Sequence, residues 1–284
     1  MGETIDLRLG TPIENRRTGA GIEGMAEAEL ERSQRLAAIR EGRLASIHSW
    51  ELVTAVDGPG TRLTVFFSGC PLRCVYCHNP DTMEMRRGQD VELEEIERLL
   101  RRYRRVFRAT GGGVTLSGGE VLMQPAFARN VLRAAKELGI HTAIDTSGHL
   151  GAVAKDELLA DVDLVLLDVK SGDEASYKRL TGRELQPTID FGDRLARAGI
   201  AIWIRFVVVP EWTDAAENVE KVADIVERWQ DVVERVEVLP FHNMGQDKWD
   251  VLGMEYRLRD AHPPSTEVVE RVRAQFRAHG LTVH

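Results

Sequence analysis

From residue 47 onward the chain alternates between two hydrophobic periods. Apolar, β-branched runs predict strands over residues 62–68, 113–117, 141–145, 163–169, 201–209 and 236–241. Amphipathic patterns between them predict helices over residues 92–107, 125–137, 156–159, 191–197, 215–229 and 265–279. Two strands, LVLLDV and IWIRFVVV, are almost continuously apolar, as strands covered on both faces are. Six strands interleaved with helices predict parallel βα units and an α/β fold. Six units are too few for a closed eight-stranded barrel, which leaves a doubly wound open sheet or an incomplete (β/α)6 barrel. Polar clusters follow five of the strands: Ser68-Gly69-Cys70, Ser117-Gly118-Gly119-Glu120, Asp145-Thr146-Ser147-Gly148, Asp168-Val169-Lys170 and Phe241-His242-Asn243. Five convergent strand ends suit a barrel mouth better than a single crevice, so the incomplete barrel is the expected fold.

Ahead of this alternation the pattern changes. Residues 1–24 mix charge with Gly, Thr and Pro and read as a mobile tail, while residues 25–43 favour a helix with a thin stripe of Leu30, Leu36 and Ile39. The expected organisation is an extension over 1–45 and one domain over 46–284. A plain surface helix and a docking element both fit the extension.

Composition narrows the function classes. Apolar residues make up 43% of the 284, enough for a core, and 45 acidic against 37 basic side chains give a net charge of −8. Such a chain is a poor general nucleic-acid binder. It has no apolar run of membrane-spanning length and no signal-peptide pattern near its start, so a cytoplasmic location is expected, with no membrane partner. One helix, residues 92–107, carries Arg98, Arg101, Arg102, Arg104 and Arg105, with Arg108 just beyond. Its apolar positions recur at helical spacing, which fits a core face with a solvated basic face, or a dock for an acidic redox protein.

The three cysteines change the picture most. Cys70, Cys74 and Cys77 fall within eight residues, an odd number in one loop, which does not suit a disulfide framework. Three thiolates at C-x3-C-x2-C spacing reach three corners of a [4Fe-4S] cluster and leave the fourth iron open to a chelating substrate. Zinc completed by His78, and three unligated thiols, remain as alternatives.

The segment GCPLRCVYCHNPDT resembles the cysteine loop of the radical S-adenosylmethionine enzymes, and more narrowly of the activating enzymes of glycyl-radical enzymes. The likeness continues through IHSWE, VDGPG with Asp57, GGGVTLSGGE, DTSG, LLDVK, WIRFVVVP and LPFHNMG, from about residue 47 to 283. The resemblance implies an incomplete (β/α)6 barrel and a [4Fe-4S] cluster on Cys70, Cys74 and Cys77. It also implies reductive cleavage of S-adenosylmethionine to methionine and a 5′-deoxyadenosyl radical. Cofactor contacts are then expected from Tyr76, His78, Asn79, Gly118, Gly119, Glu120, Asp168, Lys170, Arg205 and His242. Asp145 and Thr146 would hold a monovalent cation, with Asp57 nearby; Ser147, where relatives often carry Asn, is not expected to alter that site. The implied partners are a glycyl-radical enzyme as protein substrate, pyruvate formate-lyase first among them, and a flavodoxin or ferredoxin as electron donor. The chain is expected to be a monomer. Three cysteines in all exclude the additional cluster insert that many other activases carry.

Taken singly, several of these residues have plainer readings. The glycine run fits a turn, Asp168 and Lys170 fit an ion pair at a strand end, and His242 fits a satisfied rim residue. Asp57, Asp145 and Thr146 fit helix capping. Arg205, inside an apolar strand, requires a buried anionic or carbonyl partner in any reading.

Overall fold

A computed structural model describes residues 21–54 and 56–284, with the side chains of residues 53 and 54 also outside the description. Its strands are β1 (Leu44–Thr54), β2 (Thr61–Phe67), β3 (Gln89–Glu92), β4 (Gly113–Gly118), β5 (His141–Thr146), β6 (Leu164–Asp168), β7 (Ala201–Val208) and β8 (Val233–Pro240). They form one sheet in the order β3-β1-β2-β4-β5-β6-β7-β8. From β2 through β8 every neighbouring pair is parallel, so the six predicted strands are the six parallel strands. The helices are α1 (Arg32–Glu41), α2 (Leu93–Thr110), α3 (Pro125–Glu137), α4 (Asp156–Leu159), α5 (Glu174–Thr181), α6 (Gln186–Ala198), α7 (Ala216–Glu227), α8 (Gln246–Val251) and α9 (Thr266–Ala278).

The strand faces divide by chemistry. Val65 and Phe67 of β2, Val114 and Leu116 of β4, Val165 and Leu167 of β6, and Ile204 and Phe206 of β7 belong to the main buried core beneath the helices. The alternate residues form the inner face. A small apolar layer of Ala143, Leu164, Leu166 and Trp203 lies there. Thr115, Ser117, Asp145, Asp168, Arg205 and Glu237 share that face by the period of two along each strand. The apolar runs are thus covered on both faces along only part of their length, and the inner face turns polar towards the strand ends.

The sheet must curl for its inner residues to meet. Arg205 of β7 donates to the Val56 carbonyl in the β1–β2 loop at 2.7 Å and lies 3.5 Å from Asp57. In the sheet order β7 stands four strands from β2, roughly 19 Å on a flat sheet at about 4.8 Å per strand. An arginine side chain does not span that distance. The strands therefore wrap into an incomplete (β/α)6 barrel, with no pairing between β3 and β8 among the described residues.

Two strands, β1 and the edge strand β3, were not foreseen. β1 runs antiparallel to β2 and to β3, so IHSWE and QDVE extend the barrel beyond its parallel part. The expected boundary at residues 45 and 46 falls just inside β1. Residues 1–20 of the expected tail lie outside the described residues. The part from Gly21 to Gly24 is tied down: Trp50 donates its backbone N–H to Gly21 O at 3.0 Å and its indole N–H to Glu23 O at 2.9 Å. The extension helix α1 begins at Arg32, later than expected, and Arg35 pairs with Asp90 across it. No helix among the described residues is long and apolar enough to cross a membrane.

In α2, Ile96, Leu99, Leu100 and Phe107 are buried, while Arg98 and Arg101 pair with Glu95 and Glu97. The helix ends just before β4 begins, so its arginine-rich half lies at the end of the barrel opposite the loop after β2.

Near the C-terminus, His279 after α9 holds two carboxylates of α7. Its Nδ1 is 2.7 Å from Glu227 and its Nε2 is 2.8 Å from Glu220, with Asp224 at 4.0 Å. Those hydrogen bonds raise the His279 pKa above its ordinary 6.5. A raised folded value gives stabilisation that is complete below the unfolded value and lost as pH rises through the folded one. His279→Ala should therefore lower the thermal midpoint most at pH below about 6.5, and the gap from wild type should shrink on the alkaline side. A gap that is constant from pH 5 to pH 9 would show that the clamp needs no proton.

Candidate active site at the barrel mouth

The loop that follows β2 brings the three cysteines together. Gly69 N–H donates to Thr82 O at 2.7 Å and Cys70 N–H to Met83 O at 3.1 Å. On the other flank Arg73 and Val75 N–H groups donate to the carbonyls of Thr181 and Leu180 in α5. Arg73 also closes the loop on itself, donating to Cys70 O at 2.7 Å. None of the three thiols is in a disulfide.

All three line one cavity of about 170 Å³, together with Tyr76, His78, Asn79, Gly118, Gly119, Asp145, Thr146, Asp168 and Lys170. Twelve sequence-predicted residues meet there from three strand ends and the cysteine loop. Leu72, Ser117, Ser147 and Val207 also line it and were not foreseen as part of it. Three predicted residues stand behind the lining instead: Glu120, Arg205 and His242.

Glu120 is 1% exposed, and its carboxylate is filled by the chain itself. It accepts from Thr146 Oγ1 at 2.6 Å, Ser147 Oγ at 2.6 Å, Ser147 N at 3.1 Å and Leu122 N at 3.2 Å. Four bonds saturate the acceptor sites of a carboxylate. In this geometry Glu120 buttresses the β4 and β5 ends. Ser147, expected to be neutral, supplies two of those bonds. The adjacent glycines have a steric reason of their own. A Cβ on Gly118 (φ 117°) would meet Phe67 N at 2.2 Å, and one on Gly119 would meet Gly69 O at 2.5 Å. They let the β4 end lie flat against the root of the cysteine loop.

Arg205 finds the anionic partners that its burial demands. It is bonded to Asp145 at 3.0 Å and lies 3.4 Å from Glu237 and 3.5 Å from Asp57. Burial lowers its pKa, but these carboxylates outweigh that and hold it above the ordinary arginine value. Asp145 is pushed the other way, up to about 6, by burial. One of its oxygens accepts from Ser117 at 2.7 Å and from Arg205; the other, Oδ1, is buried with no hydrogen-bond partner among the described residues. Lys170 pairs with Asp168 at 2.9 Å and lies over the Tyr76 ring, 5.5 Å from its centre. The Tyr76 hydroxyl is likewise buried, and burial raises its pKa while Lys170 beside it acts in the opposite direction. His78 stacks on His242 at 4.1 Å, and its Nε2 bonds the His242 carbonyl at 2.9 Å. That nitrogen is thus committed away from the thiols, against a fourth zinc ligand through it.

The donor set fits an iron–sulfur group. Three thiols converge without a disulfide, and burial is the main cause raising each one, Cys77 to about 12. Such thiols stay protonated until a metal displaces the proton. The orphaned Asp145 oxygen fits a cation beside the cavity.

Fold and site together are those of an open α/β barrel that keeps three thiols at its mouth, a donor set for an iron–sulfur group. Residues 64–226 match the Radical SAM superfamily. A pyruvate formate-lyase-activating enzyme of Clostridium pasteurianum is 48% identical over 217 residues, covering 76% of this chain and 90% of that protein. The pyruvate formate-lyase 1-activating enzyme of Escherichia coli K12 is 40% identical over 242 residues, covering 84% and 98%. Among solved structures, Streptococcus suis SuiB bound to its precursor peptide SuiA superposes with a TM-score of 0.59 at 18% identity, over 88% of this chain and 51% of that one. The chain belongs to the radical SAM superfamily and, within it, to the family of pyruvate formate-lyase-activating enzymes. That family implies a [4Fe-4S] cluster and S-adenosylmethionine as cofactors.

If Glu120 is a buttress, removing one acceptor weakens the chain without any ligand present. Glu120→Gln should lower the unfolding free energy of the metal-free protein by about 1–3 kcal/mol, because one donor then faces an amide NH2. Chemical denaturation reads this directly, and an unchanged midpoint and slope would contradict it.

Proposed function

We propose that this chain activates pyruvate formate-lyase by generating a glycyl radical in it. The observation that carries the reading is the convergence of three unpaired thiols on one cavity that Tyr76, Asp145, Asp168 and Lys170 also line. Cys70, Cys74 and Cys77 would hold the cluster. Bound there, a [4Fe-4S] cluster would supply the electron that cleaves S-adenosylmethionine to methionine and a 5′-deoxyadenosyl radical, which takes a hydrogen from a glycine α-carbon.

The chain's own groups bind and orient. Tyr76, His78 and Asn79 form one wall of the cavity, with His242 stacked behind His78. Gly118 and Gly119 present bare backbone from the β4 end. Lys170 offers a buried cation for a carboxylate, and Asp168 an acceptor for ribose hydroxyls or an amine. Asp145 and Thr146 would hold a monovalent cation, and Arg205 and Glu120 act from behind by fixing them. The gap between β3 and β8 suits a macromolecular substrate better than a closed barrel does. The protein works as a monomer, with a flavodoxin or ferredoxin as electron donor.

Anaerobically purified wild type should carry about four irons per chain and release 5′-deoxyadenosine when reduced with S-adenosylmethionine. Cys74→Ala should lose both. A Cys74→Ala protein with full iron content and full nucleoside release would overturn the ligand assignment; one zinc in the wild type would overturn the reading itself.

A further inference from the structure

The segment that follows β8 folds back over one arm of the cysteine loop. Gly245 packs so closely that a Cβ there would meet His78 Cα at 2.9 Å. Trp249 of α8 donates its indole N–H to the Cys77 carbonyl at 2.9 Å. Its neighbour Lys248 donates to Asn79 Oδ1 at 2.5 Å and lies 3.6 Å from Asp81 Oδ1. Asp81 in turn accepts from His48 of β1 at 2.9 Å, and His48 Nδ1 contacts Ser49 Oγ at 2.9 Å. Side-chain exposures are 3% for His48, 4% for Asp81 and 11% for Lys248. Buried charges with matched partners of this kind fix one arrangement of the segments that carry them.

We propose that Lys248 is a positioning residue for the bound cluster: it clamps residues 77–81 from the post-β8 segment, and its charge sets how readily the cluster takes up an electron. The proposal rests on the three-thiol reading above. Each thiol arm has its own restraint. Cys70 is held by Arg73 and Cys74 has Lys170 for a neighbour, while Lys248 serves Cys77. The electrostatic sign follows from charge alone. Reduction adds a negative charge to a thiolate-bound cluster, so a nearby cation favours the reduced form and a nearby anion opposes it. Lys248→Met removes the cation and exposes Cys77 to Asp81. Asp81→Asn removes the anion and leaves the cation.

The test measures the cluster midpoint potential by redox titration with paramagnetic resonance detection, and amide hydrogen exchange over residues 77–82 in the metal-free protein. Lys248→Met should shift the reduction equilibrium about tenfold against reduction, ~59 mV more negative for one electron. Asp81→Asn should shift it the opposite way, and Lys248→Arg should keep it near wild type. Loosening of the loop alone has no reason to reverse sign between the two variants. Shifts of the same sign, or no shift in either, would overturn the proposal. Should Lys248→Met fail to hold the cluster, exchange decides: faster exchange over 77–82 supports the clamp, and exchange equal to wild type refutes it. A wild type without four irons would refute the three-thiol reading, and the exchange comparison would still judge the clamp.

Discussion

The buried guanidinium of Arg205 sets the terms for the inside of this barrel. A charge there is costly unless it is matched, and three carboxylates from separate parts of the chain match it: Asp57, Asp145 and Glu237. Its bond to the Val56 carbonyl adds the β1–β2 loop. One side chain on β7 thereby ties β5, β8 and a loop next to β2, which is possible only when the sheet is curled. The consequence reaches the mouth. With one Asp145 oxygen held by Arg205 and Ser117, the other is left buried and without a hydrogen-bond partner among the described residues.

Around that frame the mouth is built in two layers. The front layer is the cysteine loop and the strand ends that line the cavity. The back layer holds the front in place and does not line the cavity. Glu120 shows the division most clearly, since Thr146, Ser147 and Leu122 use up its acceptors. Gly118 and Gly119 belong to both layers: they line the cavity, yet their lack of a side chain is demanded by Phe67 and Gly69 behind them. A residue next to a binding loop is therefore not a binding residue by position alone.

Much of the front layer was legible in the sequence because its signals are local. Cysteine spacing, a glycine pair and polar residues after apolar runs all lie within a few positions of one another, and the six parallel strands carry strong β-branched runs. The back layer was not legible in the same way. His48, Asp81 and Lys248 are far apart in sequence, and only the curl of the sheet and the return of the last segment unite them. β1 was missed because polar residues interrupt its apolar positions, and β3 because four residues are too few for a period. The short helices α5 and α8 escaped for the same reason. Arg205 lay between these cases. Its need for a partner was plain from the strand, but the partners were not.

The two buried lysines show why charge has to be read in place. The chain as a whole is acidic, yet Lys170 acts electrostatically on Cys74 and Lys248 on Cys77. Each is partnered by a carboxylate, Asp168 or Asp81; burial lowers both lysines' pKa, and the carboxylate side wins for Lys170 but only partly offsets burial for Lys248. A chain that must hold a thiolate-rich, anionic group needs cations close by, but free cations at that depth would destabilise it. Pairing each lysine with an aspartate serves both demands, more fully at Lys170 than at Lys248. It also means that removing either partner alters the cavity's field in a direction set by its sign, so the electrostatics of the mouth are carried by pairs and not by net charge.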